Sequence, residues 1–348
     1  MTAKVLSLLL TLLVGSFGAA WAEQSKLRIS FQLPIDTHLG VNLTRFKEEV
    51  EKASDKEIVV EIYDRARLYK DKEKIQAVAS GAIEMATLPA TWFGAKVPAV
   101  GIYDQPFLMN FEALVRAVSS PDSSMRQLLD AAILEALGVR PLWWQSYGST
   151  VFLSKNGRHT KLPSAISGQK IRVFGDTMGE FIKLCGGIPL SISASEQYRA
   201  ARDGIVDMII TGITTVEPRE LWKVVDTVTR TEHGAIEWPV IINEKVWQAL
   251  SKRHQQIIAE AARKVERELR DQMAEIEGKA YAFAREKGMQ IYELTSDEVA
   301  EWRVCSAPMI EGFMDKTGEI GVRLMAGYAK LRTHPCCSAG PSTAAQGR

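Results

Sequence analysis

Residues 167–174 read Ser-Gly-Gln-Lys-Ile-Arg-Val-Phe, a turn that leads into a short strand. Because successive side chains of a strand point to opposite faces, Ile171 and Val173 are expected to face the core. Arg172 then lies on the other face. A guanidinium is a planar group that can pair with a carboxylate through two parallel hydrogen bonds. From these residues alone, Arg172 is either a surface arginine on an edge strand or an anchor for a carboxylate.

Strands and helices alternate on both sides of this segment. Asp36 or Thr37 is placed to cap the first helix. The predicted strands lie at 27–33, 58–63, 83–88, 151–154, 170–174, 206–210 and 238–242, and the predicted helices begin near Leu39 and span 72–80, 178–186 and 196–203. This alternation is typical of layered α/β lobes.

One further predicted helix is much longer than the others. Between residues 252 and 287, apolar residues such as Val265 and Leu269 recur at helical spacing. At 1.5 Å per residue the helix would run roughly 50 Å, which exceeds the width of one small lobe, so we expect it to lie across two. A coiled coil is the alternative, although the spacing is not a strict heptad.

The N-terminus has the features of a secretory signal peptide. Lys4 precedes an uncharged run that extends to Phe17, and residues 20–22 form an Ala-Trp-Ala cleavage site. The apolar run is shorter than the roughly 20 residues of a membrane-spanning helix, and an uncleaved anchor is the alternative. We expect residues 1–22 to be removed on export to the periplasm, which leaves 326 of the 348 residues, enough for two compact lobes.

Charge and motifs argue against several classes of function. Loss of residues 1–22 removes one of 43 basic and none of 42 acidic residues, so the net charge becomes zero and no nucleic-acid partner is predicted. The five histidines are too far apart for a metal site, and no nucleotide-binding or nucleophile motif is present, so no metal or cofactor is predicted. Acidic pairs such as Glu266 and Glu268 are expected on solvated helix faces.

The cysteines do not predict a disulfide framework. Cys185 and Cys305 lie in apolar, helix-like contexts, and Cys336 and Cys337 are adjacent, an arrangement that rarely pairs internally. The composition of residues 333–348 predicts a disordered tail.

Five segments form an ordered pattern over residues 27–331. They are LRIS at 27–30 with His38 and the helix after it, IQAVASGAIEMA at 75–86, QPFL at 105–108, LP at 162–163 through SGQKIRV at 167–173, and AARDGIVDM at 200–208. In this order and spacing they resemble the solute-binding proteins of tripartite ATP-independent periplasmic (TRAP) transporters.

The resemblance implies an α/β, two-lobed periplasmic binding protein architecture with mixed sheets, crossing strands and one long helix spanning both lobes. It implies a first lobe of residues 23–148 and about 234–278, and a second of residues 149–233 and about 279–332. The lobes are expected to close on a small organic carboxylate and then to bind the transporter's membrane subunits.

The resemblance also makes Arg172 the expected carboxylate anchor. Aromatic rings in the cleft would stack on the ligand, although each has an alternative place in the core. The other expected ligand-binding residues are Gln32, Trp92, Tyr147, Thr150, Phe174, Thr211, Gly212 and Trp238.

Two positions depart from the pattern of many family members. Gly148 is followed by Ser149 where an arginine is frequent, which removes one cation, and Thr211 stands where asparagine is frequent. Sialic acid is therefore not the expected ligand. An aromatic or branched short-chain acid is the favoured ligand, and a dicarboxylate is left open. The sequence also leaves open whether the protein forms a homodimer. The alternative functions are a secreted enzyme acting on an organic acid and a ligand-sensing module.

Overall fold

The computed structural model describes residues 24–335 and 337, so the predicted signal peptide at 1–22 lies outside the described residues. The strands are β1 (Ser25–Ser30), β2 (Ile58–Tyr63), β3 (Met85–Thr87), β4 (Val139–Ser154), β5 (Lys170–Val173), β6 (Ile188–Ser191), β7 (Met208–Gly212), β8 (Thr227–Arg230), β9 (Ala235–Asn243) and β10 (Gln290–Glu293). The helices are α1 (His38–Ala53), α2 (Asp71–Ala79), α3 (Glu112–Ser119), α4 (Ser124–Leu137), α5 (Asp176–Leu184), α6 (Gln197–Arg202), α7 (Glu244–Ala249), α8 (Lys252–Glu286), α9 (Ser296–Ser306) and α10 (Pro308–Arg332). No described helix combines the length and apolar composition needed to cross a membrane.

The strand β4 is shared by two sheets. Its residues 139–149 pair antiparallel with β9, and its residues 150–154 pair antiparallel with β7 and β8. The first sheet has the order β2-β1-β3-β9-β4, and the second continues as β4-β7-β5-β6, with β10 beside β8. Parallel and antiparallel pairs occur in both, so the predicted mixed α/β, two-lobed architecture is confirmed. The strand changes partners next to the predicted 148/149 boundary; the lobe boundaries themselves stay a prediction.

The predicted long helix is α8, whose 35 residues extend about 52 Å. In the first half of α8, the carbonyl oxygen of Val265 accepts a hydrogen bond of 2.7 Å from the Nδ2 atom of Asn42 in α1. Near its end, Tyr281 and Ala284 pack in the core cluster that includes β7 and β8 side chains. The helix therefore lies across both lobes.

Buried ion pairs attach α8 to the first sheet and to α4. Arg270 donates hydrogen bonds of 3.0 and 2.8 Å to the two carboxylate oxygens of Glu237 in β9. Glu266 accepts a bond of 2.9 Å from Arg126 in α4. The prediction that Glu266 lies on a solvated face is wrong, since it is 2% exposed. Helical spacing alone does not reveal that a cation from another helix meets this carboxylate.

A disulfide corrects the expectation drawn from the cysteine spacing. Cys185, at the end of α5, is bonded to Cys305 in α9, 120 residues further along the chain. The apolar surroundings of both residues agree with their positions in the structure, where Cys185 is buried and Cys305 is partly buried. They carried no information about a partner so distant in sequence.

The predicted disordered tail, residues 333–348, is wrong at Cys337, which is buried in the structure. Cys337 is 1% exposed and packs in the core cluster of the first lobe, where its Sγ lies 3.6 Å from the carbonyl oxygen of Ala113. The chain is brought there by α10, which packs on α3 and α4. The other tail residues, 336 and 338–348, lie outside the described residues.

We predict that replacing both bonded cysteines (Cys185→Ser with Cys305→Ser) lowers the free energy of unfolding by about 2–5 kcal/mol, because the cross-link restricts a long loop of the unfolded chain. Denaturant titration with and without a reductant measures this effect. The wild type should lose stability on reduction, whereas the double variant should not respond. A reductant-insensitive wild type would contradict the prediction.

Candidate functional site

A cavity of about 260 Å³ lies where the two sheets meet. Residues of the first sheet and its loops form one wall, residues of the second form the other, and β4 passes between them. The lining residues are Pro89, Tyr147, Arg172, Phe174, Ala194, Gln197, Thr211, Thr215, Ile236 and Trp238.

Arg172 is held in this cavity by its strand. β5 lies between β6 and β7. Because side chains alternate along a strand, Ile171 and Val173 pack into the core and Arg172 faces the other way. Its Nε donates to the carbonyl oxygen of Ile192 at 2.9 Å, and its Nη1 donates to that of Ile210 at 2.8 Å. The side chain is 2% exposed on an inner strand, so the alternative of a surface arginine on an edge strand is wrong.

The guanidinium has no protein carboxylate to neutralise it. No Asp or Glu of the described residues forms an ion pair with Arg172, and its Nη2 has no acceptor among them. Burial lowers the pKa of Arg172 to about 9, an effect that Asp71 opposes and Arg219 increases. A buried cation without a counter-ion is energetically costly, so the site favours an anion from outside the chain.

Aromatic rings form much of the remaining wall. The ring centre of Phe174 lies 4.9 Å from the guanidinium carbon of Arg172. The ring of Tyr147 stacks on His38 at 5.1 Å and lies 5.6 Å from Trp238, whose Nε1 is buried without an acceptor. Burial lowers the pKa of His38 to about 4, so His38 is neutral at pH 7 and adds no charge here.

A second group of charged residues was not found by sequence reasoning. Lys74 is buried, with its Nζ 3.2 Å from Asp71 and 3.0 Å from the carbonyl oxygen of Thr87. Arg219 is half-buried and donates through Nη2 to the carbonyl oxygen of Gln32 at 3.2 Å. This group contains two cations and one carboxylate, and it leaves one Asp71 oxygen and the Arg219 Nε unpartnered.

Arg219 is a cation near the cavity that comes from a different position than the one after Gly148. The backbone nitrogen of Ser149 donates to Glu277 of α8 at 2.9 Å, so that position is tied to the scaffold. Arg219 lies in the loop after β7, outside the cavity lining, and its charge acts on Arg172 and Tyr147.

Five of the nine predicted site residues line the cavity. They are Tyr147, Arg172, Phe174, Thr211 and Trp238. Their contact with a ligand stays a prediction.

The other four predicted residues do not line it. Gln32 donates through Nε2 to Ser195 Oγ at 2.8 Å, and the indole of Trp92 lies under Lys72 Nζ.

Thr150 and Gly212 act on the scaffold instead. The hydroxyl of Thr150 is bonded to the backbone of Gly234, at 2.9 and 3.2 Å. Gly212 packs against Tyr147, and a Cβ at this position would lie 2.9 Å from the ring.

Sequence reasoning missed the remaining lining residues, Pro89, Ala194, Gln197, Thr215 and Ile236. Of these, Gln197 donates to the hydroxyl of Thr215 at 3.1 Å and keeps its buried Oε1 unpartnered. Proline, alanine and isoleucine are too common to indicate a site, and Gln197 and Thr215 belong to no recognisable motif.

Metal ligation has no evident basis in residues 24–335 and 337. No group of three or more His, Cys, Asp or Glu side chains is arranged there to hold an ion.

Comparison with known proteins agrees with the geometry. Residues 30–317 match the family described as bacterial extracellular solute-binding protein, family 7. The C4-dicarboxylate-binding periplasmic protein DctP of Rhodobacter capsulatus is 27% identical over 314 residues, which cover 86% of this chain and 89% of that protein.

Two solved structures have the same fold. A TRAP periplasmic solute-binding protein of Roseobacter denitrificans with bound β-D-glucuronate has a TM-score of 0.82 at 21% identity, covering 88% of this chain and 99% of the other. One of Sulfurospirillum deleyianum with bound succinate has a TM-score of 0.80 at 21% identity, covering 87% and 99%. The family match spans most of the sequence, and the chain therefore belongs to family 7 of the bacterial extracellular solute-binding proteins, the solute receptors of TRAP transporters.

Proposed function

We propose that the protein captures a small organic carboxylate between its lobes, with Arg172 as the anchor, and delivers it to the membrane subunits of a TRAP transporter. The observation that carries this proposal is the buried guanidinium without a protein counter-ion. Two backbone carbonyls orient it and leave its Nη2 available to a ligand oxygen. A charge-assisted bond in such a desolvated site is strong and directional.

Similar proteins support the class of ligand. The Rhodobacter capsulatus relative is named for C4-dicarboxylates, and the two structural neighbours hold glucuronate and succinate, all of them carboxylates. The excess of positive charge from Arg172, Arg219 and Lys74 over Asp71 agrees with an anionic ligand.

Contacts across the cleft support closure by movement of the lobes. The Nε2 of Gln32, which follows β1, donates to Ser195, which follows β6, and Lys70 Nζ lies 3.1 Å from Glu196. Lys72 Nζ also reaches the carbonyl oxygen of Ser191 at 3.4 Å. These bonds form only when the two walls of the cavity are together. Closure of this type would create the surface that a membrane partner recognises.

Export to the periplasm is part of the proposal. The leader-like residues 1–22 support it, as does the Cys185–Cys305 disulfide, because such bonds persist in oxidising compartments.

The anchor is tested by Arg172→Met. Because Arg172 has a lower pKa in the folded protein than in the unfolded chain, the unfolded chain binds more protons between about pH 9 and 12. The charged guanidinium of Arg172 therefore destabilises the folded protein fully at pH 7, and this destabilisation decreases as the pH rises above 9. We expect the variant, without ligand, to be more stable by about 0.5–2 kcal/mol.

The same variant should lose all thermal stabilisation by carboxylates. Arg172→Lys is the matched control, since it keeps the charge and loses the planar group; it should bind only weakly. Carboxylate stabilisation of Arg172→Met equal to that of the wild type would contradict the anchor.

Closure is tested by Ser195→Ala. The change removes one bond across the cleft, so carboxylate affinity should fall about two- to tenfold with no change in the fold. Ser191→Ala is the control, because Lys72 contacts the backbone of Ser191 and not its side chain. Isothermal titration calorimetry measures both, and equal affinities in the two variants would refute this role of Ser195.

Absence of catalysis is tested on the bound ligand. Protein purified from the periplasm should release its ligand on denaturation, and mass spectrometry should identify a carboxylate. After readdition and prolonged incubation with an excess of protein, the same mass should be recovered in full. Conversion of the compound would instead support the secreted-enzyme alternative.

A further inference from the structure

A second, smaller cavity adjoins the cavity that contains Arg172. The two share Pro89, Phe174 and Ile236 in their walls, so Phe174 and Ile236 mark the passage from one to the other. The polar side chains that line the second cavity belong to Thr91, Tyr103, Asp104 and Glu237. Two of these side chains, Asp104 and Glu237, are carboxylic acids, whereas the first cavity contains the cation Arg172.

Asp104 is the notable group of this cavity. Its side chain is 6% exposed, and its carboxyl group forms no ion pair with any described residue. Glu237 differs, because both its oxygens are bonded to Arg270. A buried carboxylate without a cationic partner costs free energy, and the hydroxyl of Thr91 is the protein donor near it, so the carboxyl group can accept a further donor from outside the chain.

The hydroxyl of Thr91 is a second unsatisfied group. Thr91 is 6% exposed and buried in the same wall, near Asp104, yet its oxygen forms no hydrogen bond of normal geometry. It faces Gly175 at the start of α5, where even a Cβ would overlap the hydroxyl. Thr91 and Gly175 come from opposite lobes, so the second cavity is also closed by the approach of the lobes.

We propose that the ligand carries two different ends: a carboxylate that binds Arg172 and, beyond Phe174, a hydroxyl or ammonium group that donates a hydrogen bond to Asp104. This inference rests on the proposed function and narrows its ligand class. An unsubstituted acid would leave Asp104 with the Thr91 hydroxyl as its sole neighbouring donor among the described residues, and a second carboxylate would be repelled by the charge of Asp104. Burial raises the pKa of Asp104 to about 7, with only the Thr91 hydroxyl opposing, which agrees with a cavity that contains no protein cation near this group.

The test compares three series of acids with three to six carbons: unsubstituted, ω-hydroxy and ω-amino carboxylates. Calorimetry at pH 8, above the pKa of Asp104, gives their affinities for the full-length mature protein. For at least one chain length, we expect a donor-bearing acid to bind at least about tenfold more tightly than the unsubstituted acid. The series whose affinity exceeds that of the unsubstituted acids shows whether the donor is a hydroxyl or an ammonium group.

Two variants assign the preference to Asp104. Asp104→Leu should abolish it and leave the unsubstituted acid bound as tightly as before or more tightly. Asp104→Asn keeps an acceptor oxygen, so it should weaken an ω-amino acid at least about tenfold and an ω-hydroxy acid by no more than about threefold. Asp122→Asn, at an exposed carboxylate, is the control for folding and should match the wild type.

The outcomes separate this inference from the proposed function. Equal affinity for all three series, or a preference that survives Asp104→Leu, overturns the inference while carboxylate binding stands. Failure of every carboxylate to bind the wild type overturns both.

Discussion

The buried guanidinium of Arg172 is the constraint on which the site depends. It lies on an inner strand, is oriented by the carbonyl oxygens of Ile192 and Ile210, and meets no carboxylate from the described chain. Charges buried in proteins are normally paired, because desolvation costs more than the neutral bonds restore. The protein therefore retains a locally unfavourable group, as binding sites often do, and a ligand anion would complete it.

The scaffold keeps this group in place from both sides. The strand β4 joins the two sheets, and α8 lies across both lobes, tied by Arg270 to Glu237 and by Glu277 to the backbone of Ser149. Glu237 in β9 also borders the second cavity, so the ion pair that fixes the long helix also forms part of the wall of that cavity. Stability and site geometry thus depend on some of the same side chains.

Local patterns predicted much of the fold and the side of its strand on which Arg172 lies. Alternation around Ile171 and Val173 gave the facing of Arg172, and Thr37 caps α1 by accepting a bond from Gly40, as expected. What could not be predicted came from contacts between distant segments. The Cys185–Cys305 bond, the meeting of Glu266 with Arg126, and the group formed by Lys74, Asp71 and Arg219 depend on tertiary structure, which no spacing along the chain encodes.

The most direct measurement is a crystal structure of the protein with the carboxylate that copurifies with it. We expect a closed cleft in which a carboxylate oxygen of that ligand lies about 2.7–2.9 Å from Nη2 of Arg172. A ligand bound elsewhere, or one in this cleft whose carboxylate does not touch the guanidinium, would contradict it.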